Sequence, residues 1–142
     1  SHVAHDCSIG DRVIMANSSA LAGHVEVQDA ATIGGLAGVH QFCRIGTMAF
    51  IGGMARVNMD VLPYMIIEGH PAHCYGPNVV GLTRGGFSKE SIARIRRVYR
   101  ILYRSGLNTS QALVEIEKSV EESEDRNVLL NFIRGSQRGI LR

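Results

Sequence analysis

The residues of this chain best suited to moving protons are its six histidines: His2, His5, His24, His40, His70 and His73. Four fall within the first forty residues, and Asp6 follows His5 directly. An imidazole changes charge near neutral pH, so it can take a proton from a hydroxyl under cellular conditions. A neighbouring carboxylate can fix its tautomer and favour its protonated form. Three kinds of chemistry fit. The simplest is none: polar residues at solvated turns. A second is metal ligation by His2-x-x-His5 with His24 or His40; the thiols fall in inward slots, so no metal is expected. The third is general-base catalysis by His5, oriented by Asp6. Gly23 would then let a substrate approach the backbone closely and offer an amide to a developing oxyanion.

These distant residues can meet only if the chain repeats. Steps of six from Val3 give Val3, Ile9, Met15, Leu21, Val27, Ile33, Val39, Ile45, Ile51 and Val57, ten aliphatic hits in a row. Two residues before each hit stands a small residue, from Ser1 and Cys7 to Ala49 and Ala55. The pattern fails at Pro63. A period of six is neither helical nor simply extended, and it predicts one short strand and one turn per hexad. Three hexads make a triangular coil of eighteen residues, with the aliphatic pointing inward. On that coil Ala4-His5-Asp6, Ala22-Gly23-His24 and His40-Gln41-Phe42 become three storeys of one corner. His5 then lies beneath Gly23 and Asp6 beneath His24. Cys7 and Cys43 share an inward slot two coils apart, roughly 9–10 Å at the ordinary strand spacing, too far for a disulfide. Ser1 already occupies a repeat slot, so coils are expected upstream of it.

Residues 1–62 therefore read as a prism of parallel coils. Residues 63–87 hold Pro63, Pro71 and Pro77 and read as an irregular connection. Residues 88–142 read as a helical appendage on the open C-terminal end of the prism. Ser88 caps a helix with an apolar stripe from Ile92 to Leu102, and Gly106 ends it. Asn108 or Thr109 caps a second, and a third covers about 126–134. With sixteen Gly, four Phe, four Tyr and no Trp, the composition suits a thin, tightly wound structure. The net charge is only +2, yet residues 76–142 carry twelve Lys and Arg against seven acids. The basic stretch Arg84–Arg104 attracts an acidic partner, or is a solvated helix face. Three cysteines and no secretory signal point to reduced thiols in a cytoplasm. No stretch is apolar enough to span a membrane; no nucleic-acid partner and no membrane insertion are expected.

The segments His2-Val-Ala-His-Asp-Cys, Leu21-Ala-Gly-His, Val39-His-Gln-Phe-Cys, Gly86-Phe-Ser-Lys-Glu-Ser-Ile and Tyr103-Arg-Ser-Gly resemble the acyl-carrier-protein–UDP-N-acetylglucosamine O-acyltransferase family. The likeness covers essentially all 142 residues and a little over half of a full-length member. It implies a left-handed parallel β-helix with a helical tail, assembled as a homotrimer with sites between neighbouring prisms. The implied reaction opens lipid A biosynthesis: a 3-hydroxyacyl chain moves from acyl carrier protein to the sugar 3-hydroxyl. The resemblance makes His5 the general base, Asp6 its orienting carboxylate and Gly23 the oxyanion donor. It places His2, His24, His40, Gln41, Asn78 and Arg84 against the nucleotide sugar, the last two reaching a site on the adjoining chain. It puts Gly53 at the acyl groove, where a missing side chain favours a long acyl group. Arg94, Arg96, Arg97, Arg100 and Arg104 would dock the carrier protein. No cofactor is implied beyond the carrier thioester as co-substrate.

The sequence departs from the family pattern at Val80, where an acidic residue is usual, and across Glu68-Gly-His-Pro-Ala-His. His70 and His73 carry no assignment. Two other functions stay open: N-acyl transfer to a UDP-aminosugar, and a truncated, non-catalytic trimeric prism.

Overall fold

A computed structural model describes residues 1–142. The first ten strands are two residues each, one per hexad. They stack into three parallel faces. One holds β1 (His2–Val3), β4 (Ala20–Leu21), β7 (Gly38–Val39) and β10 (Arg56–Val57), in that order. The second holds β2 (Ser8–Ile9), β5 (Glu26–Val27) and β8 (Arg44–Ile45). The third holds β3 (Ile14–Met15), β6 (Thr32–Ile33) and β9 (Phe50–Ile51). Register partners such as Val3↔Leu21 and Leu21↔Val39 lie eighteen residues apart, which is the coil length the hexads predict.

From Leu21 onward the aliphatic of each hexad and the small residue two before it line the same interior, whereas Val3 and Ile9 in the first coil are exposed. Leu21, Ile33, Ile45 and Ile51 are fully buried, as are Ala31, Cys43 and Ala55. Each turn needs one residue in the left-handed region, and none of the first nine is glycine. Asp6, Arg12, Ser18, His24, Ala30, Leu36, Phe42, Met48 and Met54 all have φ between 56° and 65°. Ordinary side chains rarely adopt this conformation. Continuous inter-coil hydrogen bonding holds it, as in Ala30 N donating to Asp11 O at 2.8 Å. Glycines serve a different need, the close approach of one coil to the next. A Cβ on Gly34 would stand 2.5 Å from the backbone nitrogen of Gly53.

The coil does not stop at Pro63. Val61 pairs with Ile45, and Ile67 with Ile51, each sixteen residues on rather than eighteen. Two residues are missing between Val57 and Val61, so counting by six lands on Pro63 and misses a wall that continues. Buried Asp60 holds the shortened turn. Its carboxylate accepts from Arg44 N at 2.8 Å and from Ser136 Oγ at 2.6 Å. Residues 63–87, read as irregular, carry two strands and a short helix. β11 (Met65–Glu68) continues the third face beside β9 and turns back antiparallel into β12 (His73–Pro77). The prolines and glycines that break the repeat sit at the turn and the strand ends. Then comes α1 (Val79–Arg84).

The tail is helical: α2 (Lys89–Arg104), α3 (Thr109–Ser119) and α4 (Glu124–Arg134). Ser88 caps α2, Asn108 caps α3 in a reciprocal box with Gln111, and Ser123 caps α4. Their apolar faces enclose a second core around Leu82, Ile95, Leu102, Ile116 and Leu129. The chain end returns to the last coil: Leu141 N donates to Asp60 O at 2.7 Å, and Arg138 to Asn58 O. Arg44 crosses the joint, with its guanidinium 4.3 Å from the Phe132 ring centre. No helix is long and apolar enough to cross a membrane.

All three cysteines are free. Burial pushes the Cys43 thiol from 9.0 up to about 11. Cys74, Tyr64 and Tyr103 shift upward for the same first cause. Each stays protonated in the folded chain while the unfolded chain releases its proton at the ordinary value. The unfolded state then binds fewer protons, so stability falls as pH rises. The denaturation midpoint is expected to drop progressively between pH 9 and 11, and Cys43 to resist alkylation until the chain unfolds. A flat midpoint over that range would contradict this account.

Candidate functional site

The coil geometry carries the histidines to the corner after the first face. His24 N donates to His5 O at 3.1 Å, and Phe42 N to Gly23 O at 3.1 Å, so the three storeys sit in register. Asp6, His24 and Phe42 occupy equivalent left-handed turn positions, with φ of 59°, 60° and 64°. Their side chains therefore form one ladder. The His24 ring stands edge-on to His5, centroids 5.1 Å apart, and stacks on Phe42 at 4.8 Å.

Asp6 links the two imidazoles. Its Oδ2 lies 3.2 Å from His5 Nδ1 and 3.4 Å from His24 Nε2. With Nδ1 donating to the carboxylate, the His5 Nε2 lone pair stays free to accept a proton. Gly23 makes room for this ring. A Cβ there would approach His5 Cε1 and Nε2 to 3.0 Å. The Gly23 amide donates to no other backbone group, leaving it available to an oxyanion. One ligand atom from each of His5, Asp6 and His24 lies within 4.8 Å of the others, so these three could also hold a metal ion.

His2 and His40 line a shallow groove of about 490 Å³ on the first face, floored by Ala20, Ala22 and Gly38 and bounded by Arg56 and His70. The groove runs up to the corner but includes neither His5 nor His24. Gln41 is exposed at the middle position of its storey, beside Phe42. Gly53 faces a smaller hollow with Leu36, Met54 and His70. A Cβ on Gly53 would meet Gly35 O at 3.3 Å, a tight contact with the backbone of the neighbouring coil. Phe50 and Met54 beside it are exposed.

Asn78 and Arg84 lie at the two ends of α1, and no hydrogen bond or ion pair joins them to the histidine corner within the chain. The Asn78 side-chain oxygen is occupied, capping α1 through Gly81 N at 3.1 Å. Arg84 and Val80 are exposed. The arginines of α2 divide into two groups. Arg94 makes two bonds to the Asp125 carboxylate, at 3.2 and 3.1 Å, and Arg97 bonds Ser119 O. Arg96, Arg100 and Arg104 border an open hollow with Tyr75 and Tyr99.

Sequence reasoning placed the histidine corner with Phe42 in its third storey, but gave Phe42 no role against the His24 ring. The available signal was that Phe42 is the third member of the 6–24–42 turn series. It also missed Arg56, whose Nη1 donates to Leu36 O at 2.6 Å at the edge of the groove.

Stacked two-residue strands on hexapeptide repeats define this as a parallel β-helix of the hexapeptide-repeat class, closed by a helical subdomain. A family profile described as "Udp N-acetylglucosamine O-acyltransferase; Domain 2" matches residues 60–141. The chain belongs to the UDP-N-acetylglucosamine O-acyltransferase family. It is 49% identical over its whole length to an acyl-[acyl-carrier-protein]–UDP-N-acetylglucosamine O-acyltransferase of Alkalilimnicola ehrlichii, covering 55% of that protein. Among solved structures it is similar to LpxA from Acinetobacter baumannii, with a TM-score of 0.93 and 38% identity, over 96% of this chain and 54% of that one. It is also similar to the Francisella novicida UDP-N-acetylglucosamine acyltransferase, with a TM-score of 0.92 and 40% identity, over 96% of this chain and 50% of that one. The chain thus spans about half the length of these relatives.

Proposed function

We propose that this chain carries the catalytic corner of an acyltransferase moving a 3-hydroxyacyl group from acyl carrier protein to the 3-hydroxyl of UDP-N-acetylglucosamine, the first step of lipid A biosynthesis. The observation that carries the reading is the His5–Asp6 contact at 3.2 Å with the His5 ring lying over Gly23. Family membership supports this choice of substrates.

His5 Nε2 takes the proton as the sugar oxygen attacks the thioester carbonyl. The carbonyl electrons move onto oxygen, where the Gly23 amide donates to the charge. As the tetrahedral intermediate collapses, the C–O bond is kept and the C–S bond breaks. His5 returns its proton to the departing carrier thiolate. Asp6 stays ionised throughout, holding the Nδ1–H tautomer and stabilising the imidazolium. No acyl-enzyme and no cofactor enter this scheme. His2, His24, His40 and Gln41 surround the sugar nucleotide, with Asn78 and Arg84 reaching the neighbouring site in a homotrimer. A guanidinium such as Arg84 suits the diphosphate oxygens. Gly53 borders the acyl chain, which we take to be long. Arg96, Arg100 and Arg104 are the arginines best placed to meet an acidic carrier protein, because Arg94 is held by Asp125 and the exposed Arg97 is already bonded to Ser119 O.

The test is direct. The protein as its gene encodes it is given acyl carrier protein thioester with matched 3-hydroxy and 3-amino UDP-sugars, and products are identified by mass. The ester is expected to predominate; amide alone would move the assignment to N-acyl transfer, and no product from either would leave a binding prism. Arg96→Glu with Arg100→Glu should raise KM for the carrier at least about tenfold with kcat little changed, an effect that fades at high salt.

A further inference from the structure

We infer that His5, Asp6 and His24 also form a site for a divalent ion of the zinc class, and that occupancy of this site switches the corner off. Zinc is held at about 2.0–2.1 Å by imidazole nitrogen and carboxylate oxygen, so tetrahedral neighbours stand roughly 3.3–3.4 Å apart. Two of the three ligand separations here already have this value: Asp6 Oδ2 to His5 Nδ1 at 3.2 Å, and to His24 Nε2 at 3.4 Å. All three ligand atoms fall within 4.8 Å of one another. The third edge, between the two imidazole nitrogens, is no longer than 4.8 Å, and both rings are on exposed side chains that can close it.

The site is held in place from behind. His5 and His24 belong to hydrogen-bonded storeys, and Phe42 lies flat against the His24 ring. The side chains are accessible, with His5 75% and Asp6 70% exposed, so the fourth position is open to water. Thiols take no part: Cys7 and Cys43 belong to the prism core, and a carboxylate completes a His2Asp donor set instead.

Binding and base chemistry exclude each other. The ion takes Nδ1 of His5, and the single N–H proton of the neutral imidazole moves from Nδ1 to Nε2 through solvent. With its proton on Nε2, the ring can donate there but cannot accept. This inhibitory consequence rests on the proposed role of His5; the ion site itself does not.

The experiment is calorimetric titration of the full chain with Zn2+, and with Co2+ followed by visible absorption. One ion per chain is expected, with the intense visible bands of four-coordinate Co2+. His24→Asn and Asp6→Asn are the informative variants, because asparagine tolerates the left-handed backbone at both positions. Each should weaken binding by at least the roughly 10–100-fold that losing even a supporting partner costs. His73→Ala, away from the corner, should bind as the parent does. Unchanged binding in His24→Asn and Asp6→Asn, or loss of binding in His73→Ala alone, would overturn the site. Zn2+ that binds as described yet leaves acyl transfer untouched would keep the site and remove His5 as base. Failure to bind, with acyl transfer still dependent on His5, would do the reverse.

Discussion

Replacing His5 by alanine is expected to lower acyl transfer by about 10²–10⁴-fold, the range a positioned general base contributes. The loss should fall on kcat, because the proton is taken in the transition state and His5 is not the main ligand of the sugar. The fold should be unaffected. The His5 side chain is 75% exposed, and the hydrogen bond linking its storey to the next uses its backbone oxygen. Asp6→Asn should cost less. An amide can accept from Nδ1–H, so the tautomer survives, but it cannot stabilise the imidazolium by charge. Turnover of His5→Ala within a few-fold of the parent, in a protein of unchanged melting temperature, would remove His5 from the mechanism. Gly23→Ala offers an independent check. Its Cβ would press on His5 Cε1 and Nε2 at 3.0 Å, so kcat should fall without any ionisable group being lost.

Arg94→Ala is expected to destabilise the chain by about 1–3 kcal/mol, the cost of leaving a largely buried carboxylate without its charged hydrogen-bond partner. Asp125 is buried and sits in the first turn of α4. Its two carboxylate oxygens accept from Arg94 Nε and Nη2 at 3.2 and 3.1 Å, a bidentate geometry. The Asp125 partner holds Arg94 in its charged form, with its pKa raised chiefly by that hydrogen bond. Removing the arginine strands a carboxylate that water reaches poorly. Asp125→Ala should cost less, because the Arg94 side chain is 21% exposed and can regain water more easily than the 8% exposed carboxylate. The contrast with Arg96 separates structure from recognition. Arg96→Ala should stay within about 0.5 kcal/mol of the parent, as exposed substitutions do, while weakening carrier binding. The measurement is equilibrium unfolding in urea. A loss below about 1 kcal/mol in Arg94→Ala would mean the pair behaves as a surface contact and would return Arg94 to the set available for a partner.

Much of this molecule could be read before its coordinates. Ten aliphatic hits at six-residue spacing determine the prism, because each coil must bury one apolar side chain per face. The same arithmetic sets His5 beneath Gly23 and Asp6 beneath His24, since residues eighteen apart are forced to stack. The helix caps Ser88 and Asn108 were legible for a local reason: their side chains satisfy backbone amides only three residues away. What lies outside the sequence pattern depends on partners far along the chain. The two-residue shortening before Val61 hides the continuing wall from any count by six, and it is stable only because buried Asp60 bonds Arg44 and Ser136. The β11–β12 hairpin fills a stretch whose prolines read as irregular. The fate of each arginine on α2 was equally invisible. All share one charge and one helix, and only the packing of α4 against α2 decides that Arg94 faces Asp125 while Arg96 and Arg100 face open space. Periodicity fixes what is stacked, because stacking follows from covalent spacing. Pairing across folded units is set by tertiary contact, which no local spacing encodes.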